Sequence, residues 1–161
     1  MNTTTDRNIW FYDFPIGTLG IAEENGGISR ICFGEHLAGF ETAETPLIQR
    51  AAEQLREYFN EERRQFALPL SLRGTAFQLA VWNALRTIHA GETRSYRDVA
   101  VMVGNPKACR AVGLANNRNP IPIFIPCHRV IGSNGSLTGY AGGLWMKQYL
   151  LELEGAGSPE P

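Results

Sequence analysis

Ile121-Pro-Ile-Phe-Ile-Pro-Cys-His-Arg129 is the stretch around which the chain is organised. Pro122 and Pro126 fix their own φ near about −65° and push the residues before them toward extended geometry. The run therefore reads as a stiff apolar strand with a cysteine and a histidine directly behind it. A thiol so placed is either a small buried hydrophobe or a nucleophile on a rigid backbone. To react it must ionise, and with an ordinary pKa of about 8.5 it needs a nearby base or positive charge. His128 adjoins Cys127, but neighbours on an extended backbone point to opposite faces. A water relay, or a helix N-terminus aimed at the sulfur, is easier than direct contact. A base also needs a partner to fix its tautomer, usually a carboxylate. Glu152 and Glu154 of the last helix both qualify, and at this level a structural and a reactive Cys127 both stay open.

Upstream of this stretch, Thr75-Ala-Phe-Gln78 has the form of a capping box and opens a helix through Phe77, Val81, Trp82, Leu85 and Ile88, broken by Gly91. Ser95-Tyr-Arg-Asp98 is a second capping box, starting a short helix that stops at Gly104. Asn105-Pro106 offers an N-cap and a first-turn proline for a third helix from Lys107 to about Asn116. Two short helices joined by a Gly-Asn-Pro turn fit a helix-turn-helix. The surface of the third helix is unusual, with Ala108, Cys109, Ala111, Gly113 and Ala115 around one long side chain, Arg110. Helices that read base edges carry several polar side chains. This one suits close, sequence-independent contact, or tight packing on a neighbour.

Downstream, Gly132-Ser-Asn-Gly135 reads as a hairpin-like turn between Val130-Ile131 and Ser136-Leu137. Tyr140-Ala-Gly-Gly143 is a close-approach loop, and Leu144 begins a last helix in which Leu150, Leu151 and Leu153 alternate with Lys147, Glu152 and Glu154 until Gly155. At the other end of the chain, Asn8–Asp13, Thr18–Ala22 and Ile28–Phe33 read as three strands, with Asn25-Gly26-Gly27 as a hairpin signal. Pro46 behind Thr45 opens an amphipathic helix to about Glu61, and Phe66–Leu70 reads as another strand. Cys32 and His36 read as a core cysteine and a surface histidine. The fold class is α/β (α+β), with a small N-terminal strand–helix domain over 1–73 and a mostly helical C-terminal domain over 74–155. Residues 156–161 form a frayed tail.

Composition narrows the class. With 43% hydrophobic and 19% charged residues the 161-residue chain is globular, and it has no apolar run of membrane-spanning length. Met1–Arg7 lack a basic-then-apolar leader, and three widely spaced cysteines indicate reduced thiols in a cytoplasmic setting. The net charge of −1 conceals an asymmetry: residues 86–129 hold seven basic and two acidic side chains. A basic surface confined to one segment suits a polyanion, or is a plain solvated face.

Pro126-Cys-His-Arg-Val130, preceded by Asn119-Pro and followed by Gly139-Tyr-Ala-Gly-Gly143, closely resembles the O6-alkylguanine-DNA alkyltransferases, the methylated-DNA–protein-cysteine methyltransferases. The likeness runs from Gly74 to Glu154, through Gly91–Tyr96 and Gly104–Gly113, while residues 1–73 fit the family's variable N-terminal domain. The resemblance implies irreversible, stoichiometric transfer of an alkyl group from O6 of guanine, and also from O4 of thymine, to Cys127. It implies His128 as base through a water, Glu154 as its orienting carboxylate, and Tyr96 as proton donor to the leaving guanine. Arg110 is implied to fill the space of a flipped-out nucleotide, with Asn119 holding the turn before the active site. Ser95, Arg94, Lys107, Ala108 and Cys109 are implied to accompany Tyr96 and Arg110 at DNA. Pro122, Val130, Tyr140, Ala141 and Gly142 are implied to line the guanine pocket.

The implied partner is double-stranded DNA carrying O6-alkylguanine, met in the minor groove without sequence readout by a monomer that can cooperate along DNA. No cofactor, metal or membrane is implied, and the location is cytoplasmic, at the nucleoid or in a nucleus. The chemistry is coherent, because O6 lies inside the duplex and the nucleotide must be extruded, while lesions occur in any context. Cys109 departs from the family's usual small residue, and Ala141 stands where some members carry serine. The zinc ligands of some N-terminal domains have no counterpart. A cysteine hydrolase using Cys127 and His128 is one rival. A non-catalytic damage sensor is another, although alkyltransferase-like proteins of that kind lack the cysteine that this chain has.

Overall fold

The structure, a computed structural model, describes residues 7–156. Residues 1–6 and 157–161, which include most of the expected frayed tail, lie outside that range. The chain divides into two compact units, Met1–Leu72 and Arg73–Pro161.

In the first unit, strands β1 (Asn8–Phe14), β2 (Gly17–Glu24), β3 (Gly27–Cys32) and β4 (Glu41–Thr42) form a sheet in the order β3-β2-β1-β4. The β2–β3 hairpin closes through Asn25 and Gly26, both at positive φ (55° and 80°), as an Asn-Gly turn between twisted strands requires. Helix α1 (Pro46–Phe59) starts behind Thr45, whose hydroxyl accepts from Ile48 N at 3.2 Å. It packs Ile48, Ala51, Ala52, Leu55, Tyr58 and Phe59 into the core with Leu19 and Ile21 of β2. Cys32 is buried with Ile9 and Ala22, and His36 is exposed, so this pair is core cysteine and surface histidine.

The strand expected over Phe66–Leu70 is not formed. The Gln54 side chain satisfies both backbone groups of Ala67, at 3.0 and 3.3 Å, and Pro69 has no N–H to give a ladder. Only Leu70 bridges to Ile28, and Gly27 permits that approach: a Cβ there would lie 2.8 Å from Leu70 C.

The second unit holds α2 (Ala76–Leu85), β5 (Arg94–Ser95), α3 (Tyr96–Met102), α4 (Cys109–Asn117), β6 (Val130–Ile131) and α5 (Leu144–Leu153). Both capping boxes form, Thr75 with Gln78 and Ser95 with Asp98. Helix α2 ends three residues before the expected Ile88, because Thr87 and Ile88 turn back on Ala84 and Leu85 in a tighter last turn. Helix α4 begins two residues later than expected, and Asn105 is not its cap. With Gly104 at φ +79°, Asn105 N reaches Ala100 O (2.9 Å) and so closes α3 in a Schellman arrangement. That leaves Ala108 as the uncapped start of α4. Helices α3 and α4 pack together as the expected helix-turn-helix, and a buried bond from Trp82 Nε1 to Ala115 O (2.9 Å) pins α2 to α4.

Ser136-Leu137 is no strand; the turn is closed locally by Gly132 N to Ser136 O and Gly135 N to Gly132 O (both 2.8 Å), and β6 pairs instead with β5 in parallel. The whole is the expected mixed α+β protein. Among the described residues no helix is long and apolar enough to cross a membrane.

The Thr75 cap holds the start of the helix on which α4 is docked. Thr75→Ala should therefore lower unfolding free energy by about 1 kcal/mol, read as a shifted urea midpoint at unchanged slope. An unchanged midpoint would show that the box is dispensable.

Candidate active site

The Ile121–Arg129 stretch is not a strand. Every residue from 121 to 130 is buried, and an extended run in that position would leave its backbone groups without a ladder. They are satisfied locally instead. Ile125 N donates to Ile121 O (2.9 Å), Cys127 N to Ile125 O (2.7 Å) and Arg129 N to Pro126 O (3.0 Å), so Cys127–Arg129 forms a single 3₁₀ turn. Ile123 adopts φ +75°, a costly conformation for a β-branched residue, held by its burial. Asn119 ties the loop from below: its Oδ1 accepts from Ile121 N (2.9 Å) and its Nδ2 donates to Ile125 O (2.7 Å). The turn removes the premise that His128 and Cys127 face opposite ways on an extended chain.

Behind the turn, α5 decides between the two glutamates. Lys147, Leu150, Leu151 and Glu154 recur at i, i+3, i+4 and i+7, which places them on one helix face, and that face is the buried one. Glu152 points away and pairs with Gln148 at 2.9 Å. Glu154, 3% exposed, accepts from His128 Nε2 (2.7 Å), Arg129 Nε (2.9 Å) and Arg129 Nη2 (2.8 Å). Arg129 Nη1 also donates to Ile88 O, linking the segment after α2 to the cluster. Burial alone would raise the Glu154 pKa. The His128 bond and the permanent charge of Arg129 outweigh it and hold the carboxyl well below the usual range.

Burial pushes the His128 pKa below its ordinary value, with Glu154 opposing. The ring is neutral near pH 7, and because a carboxylate accepts from Nε2, that nitrogen carries the hydrogen. Nδ1 is left as a lone pair, buried and with no hydrogen-bond partner among the described residues. Cys127, 6% exposed, has its pKa pushed up to about 11 by burial, opposed by the Asn119 side chain and the Lys147 charge. The resting sulfur is thus a thiol, and a neutral base with a free lone pair stands on the adjoining residue.

Lys147 and Asn116 were not singled out by the sequence reading. Lys147, assigned there to the polar side of α5, is completely buried, and its Nζ donates to Val130 O and Thr138 O, both at 2.7 Å. Burial lowers its pKa to about 8, with the Cys127 charge working the other way. The signal was available in the sequence, since Lys147 shares the i, i+3, i+4, i+7 stripe with Glu154. Asn116 is buried beneath the turn, with Nδ2 3.4 Å from Cys127 O.

A small, partly open cleft reaches Cys127, walled by Asn116, Asn117, Asn119, Pro122, Cys127, Gly139, Tyr140 and Ala141. Val130 and Gly142 lie beside it, not in its wall, and the Val130 carbonyl is taken by Lys147. Burial and the charges of Cys127 and Glu154 drive the Tyr140 pKa well above its ordinary value, so the phenol stays protonated. Tyr96 begins α3, its hydroxyl 2.6 Å from Thr138 Oγ1. Arg110 is exposed on α4, with Lys107 exposed and Ala108 and Cys109 half-buried at the helix start. The Ser95 hydroxyl is engaged as the α3 cap, and Arg94 meets Glu92 at 3.4 Å. Among the described residues no group of three or more His, Cys, Asp or Glu side chains is arranged to hold a metal ion.

The chain matches the family model of the 6-O-methylguanine DNA methyltransferase DNA binding domain over residues 76–156, and that of its ribonuclease-like domain over residues 10–72. It is 52% identical over 149 residues to the constitutive methylated-DNA–protein-cysteine methyltransferase of Bacillus subtilis, covering 87% of this chain and 90% of that protein. It is 48% identical over 153 residues to the methylated-DNA–protein-cysteine methyltransferase of Methanosarcina acetivorans, covering 90% and 96%. Among solved structures, Mycobacterium tuberculosis OGT in complex with DNA aligns at a TM-score of 0.87 and 45% identity, covering 94% of this chain and 95% of that one.

Removing one member of a buried ion pair strands the other charge. Glu154→Gln should therefore cost about 3–5 kcal/mol of stability in urea unfolding, because Arg129 keeps its burial and loses its counter-charge. A loss well under 1 kcal/mol would mean that water reaches the guanidinium.

Proposed function

The chain belongs to the 6-O-methylguanine DNA methyltransferase family, the methylated-DNA–protein-cysteine methyltransferases, and from that membership we propose that Cys127 accepts the alkyl group from O6-alkylguanine in duplex DNA. The protein repairs DNA by direct reversal of damage, and each molecule acts once. The observation that carries the assignment of residues is the neutral His128, fixed by Glu154 with its Nδ1 lone pair free, adjoining a buried Cys127 that lines a small cleft.

In this reading the Cys127 proton passes to His128 Nδ1 through a water as the sulfur attacks. The S–C bond forms, the C–O6 bond breaks, and O6 keeps the bonding electron pair. The guanine takes one proton as it leaves, and in this reading Tyr96, whose hydroxyl is hydrogen-bonded to Thr138, supplies it. Lys147 and Asn119 favour the developing thiolate by charge and by hydrogen bond. A thioether has no acidic hydrogen and is a poor leaving group, so nothing regenerates the thiol. The same geometry at the reacting carbon accommodates O4-alkylthymine.

Extrusion of the nucleotide costs a few kcal/mol, and a side chain that occupies the vacated stack offsets part of it. Arg110 fits that role. Arg94 and Lys107 meet phosphates, and Ala108 and Cys109 let α4 approach the minor groove. The protein acts as a monomer on DNA, in the compartment that holds the genome.

Peptide mass spectrometry after incubation with duplex containing O6-methylguanine should find one methyl group, on Cys127, and none in Cys127→Ser. An unmodified Cys127 beside unrepaired DNA would sink the proposal. Since His128 accepts a proton only when neutral, and its pKa lies below about 6.5, the single-turnover rate should stay flat from neutral pH to below that value and then fall on further acidification. An acid limb centred above it would remove His128 as the base. His128→Gln should slow transfer on the order of a hundredfold. Arg110→Ala should weaken repair of duplex more than transfer from free O6-benzylguanine; equal losses would end the wedge role.

A further inference from the structure

The exposed face of α4 carries a second long side chain besides the arginine. Residues 110, 114 and 117 are spaced i, i+4 and i+7, so they lie on one stripe of the helix, and all three are exposed. Arg110 occupies one end. Asn117, at the other, lines the cleft over Cys127. Leu114 stands between them, 54% exposed. Around it Val112, Ala115 and Asn116 turn inward, and Ala111 and Gly113 are too short to reach past the helix surface. A single exposed leucine is ordinary on a protein surface. This one, however, is the apolar projection on the line that joins the arginine to the mouth of the pocket. The walls of the minor groove are largely deoxyribose C–H, and apolar side chains placed there cover sugars and lever open base steps.

We propose that Leu114 is a DNA-contacting residue that enters the minor groove one helical turn from Arg110. There it packs on the sugars and base edges between that arginine and the extruded nucleotide. The proposal rests on the reading of α4 as the helix that approaches the groove. It divides the labour along the stripe: Arg110 supplies charge and fills the vacated stack, and Leu114 excludes water from the gap on the pocket side. Because Leu114 neutralises no phosphate, its contribution is independent of salt, unlike that of every basic residue on this surface.

The test uses the full chain with Cys127→Ser, so that no transfer occurs, and measures fluorescence anisotropy of a duplex containing one O6-methylguanine over a range of salt. Leu114→Ala is expected to bind about tenfold more weakly. The slope of log affinity against log salt should not change, nor should the thermal unfolding midpoint. Arg110→Ala should weaken binding and flatten the slope by about one. If Leu114→Ala binds like its parent while Arg110→Ala does not, the proposal falls and the groove reading of α4 stands. If neither variant changes binding, that reading falls and takes the proposal with it. A Leu114→Ala loss accompanied by a lower unfolding midpoint or a flattened salt slope also overturns it, since the effect then lies in folding or charge.

Discussion

Three hydrogen bonds converge on the carboxylate of Glu154, and the rest of the C-terminal unit depends on them. A carboxylate 3% exposed has lost most of its hydration, and that cost is met only if both of its oxygens are engaged by charged or dipolar partners. Arg129 supplies two donors and a permanent charge, and His128 supplies the third. Because Arg129 also reaches Ile88 O, a single cluster fixes the end of α5, the 3₁₀ turn and the segment after α2. The tautomer of His128, the proposed base, is thereby a by-product of structural neutralisation. His128 and Arg129 together hold Glu154 ionised against its burial, and the ionised carboxylate fixes which ring nitrogen keeps the proton.

The same burial explains how the cysteine is kept safe until it is needed. A thiol with a pKa near 11 has almost no thiolate at neutral pH, so it is a weak target for oxidants and for stray alkylating agents. For a protein whose nucleophile is used once, a permanently ionised sulfur would waste molecules. Reactivity is instead conditional. In the proposed mechanism His128 takes the proton as the sulfur attacks while Lys147 and Asn119 favour the charge that develops, and all three side chains are held by hydrogen bonds in the resting protein. Lys147 illustrates the compromise: two carbonyls hold its ammonium in place while burial brings its pKa down to about 8.

The DNA-facing side obeys a different constraint. Recognition of a lesion in any sequence cannot rely on base-edge hydrogen bonds, and the proposed contact rests instead on charge, close approach and the occupation of vacated space. Helix α4 answers with short residues at its start and long ones only at 110 and 114 on its outward stripe. Its inward face is held by α2 through the Trp82 bond to Ala115. The basic side chains are concentrated between residues 86 and 129 while the chain as a whole is slightly acidic.

Much of this was legible in the sequence where the signal is local. Capping boxes at Thr75 and Ser95, the Asn25-Gly26 turn, the helix behind Pro46 and the glycine stop of α5 all depend on residues within a few positions of one another, and all form. The Pro-Cys-His-Arg motif identified the chemistry for the same reason. Where the sequence reading missed, a distant partner decided the matter. The two prolines imply extended geometry for residues 121–126, but a fully buried segment must close its own hydrogen bonds, and Asn119 and the 3₁₀ turn do so. Asn105 has the right side chain to cap α4, yet Gly104 commits it to ending α3. Phe66–Leu70 has strand composition, but Gln54 of α1 claims its backbone. Lys147 reads as a solvent-facing lysine until Val130 and Thr138 offer two carbonyls to a buried ammonium. By itself the sequence determined the family, the class of chemistry and most of the elements that carry the candidate residues. Only the tertiary structure decided their ionisation states and partners, because burial and the approach of charges from distant segments set a pKa, and neither is written in the order of neighbouring residues.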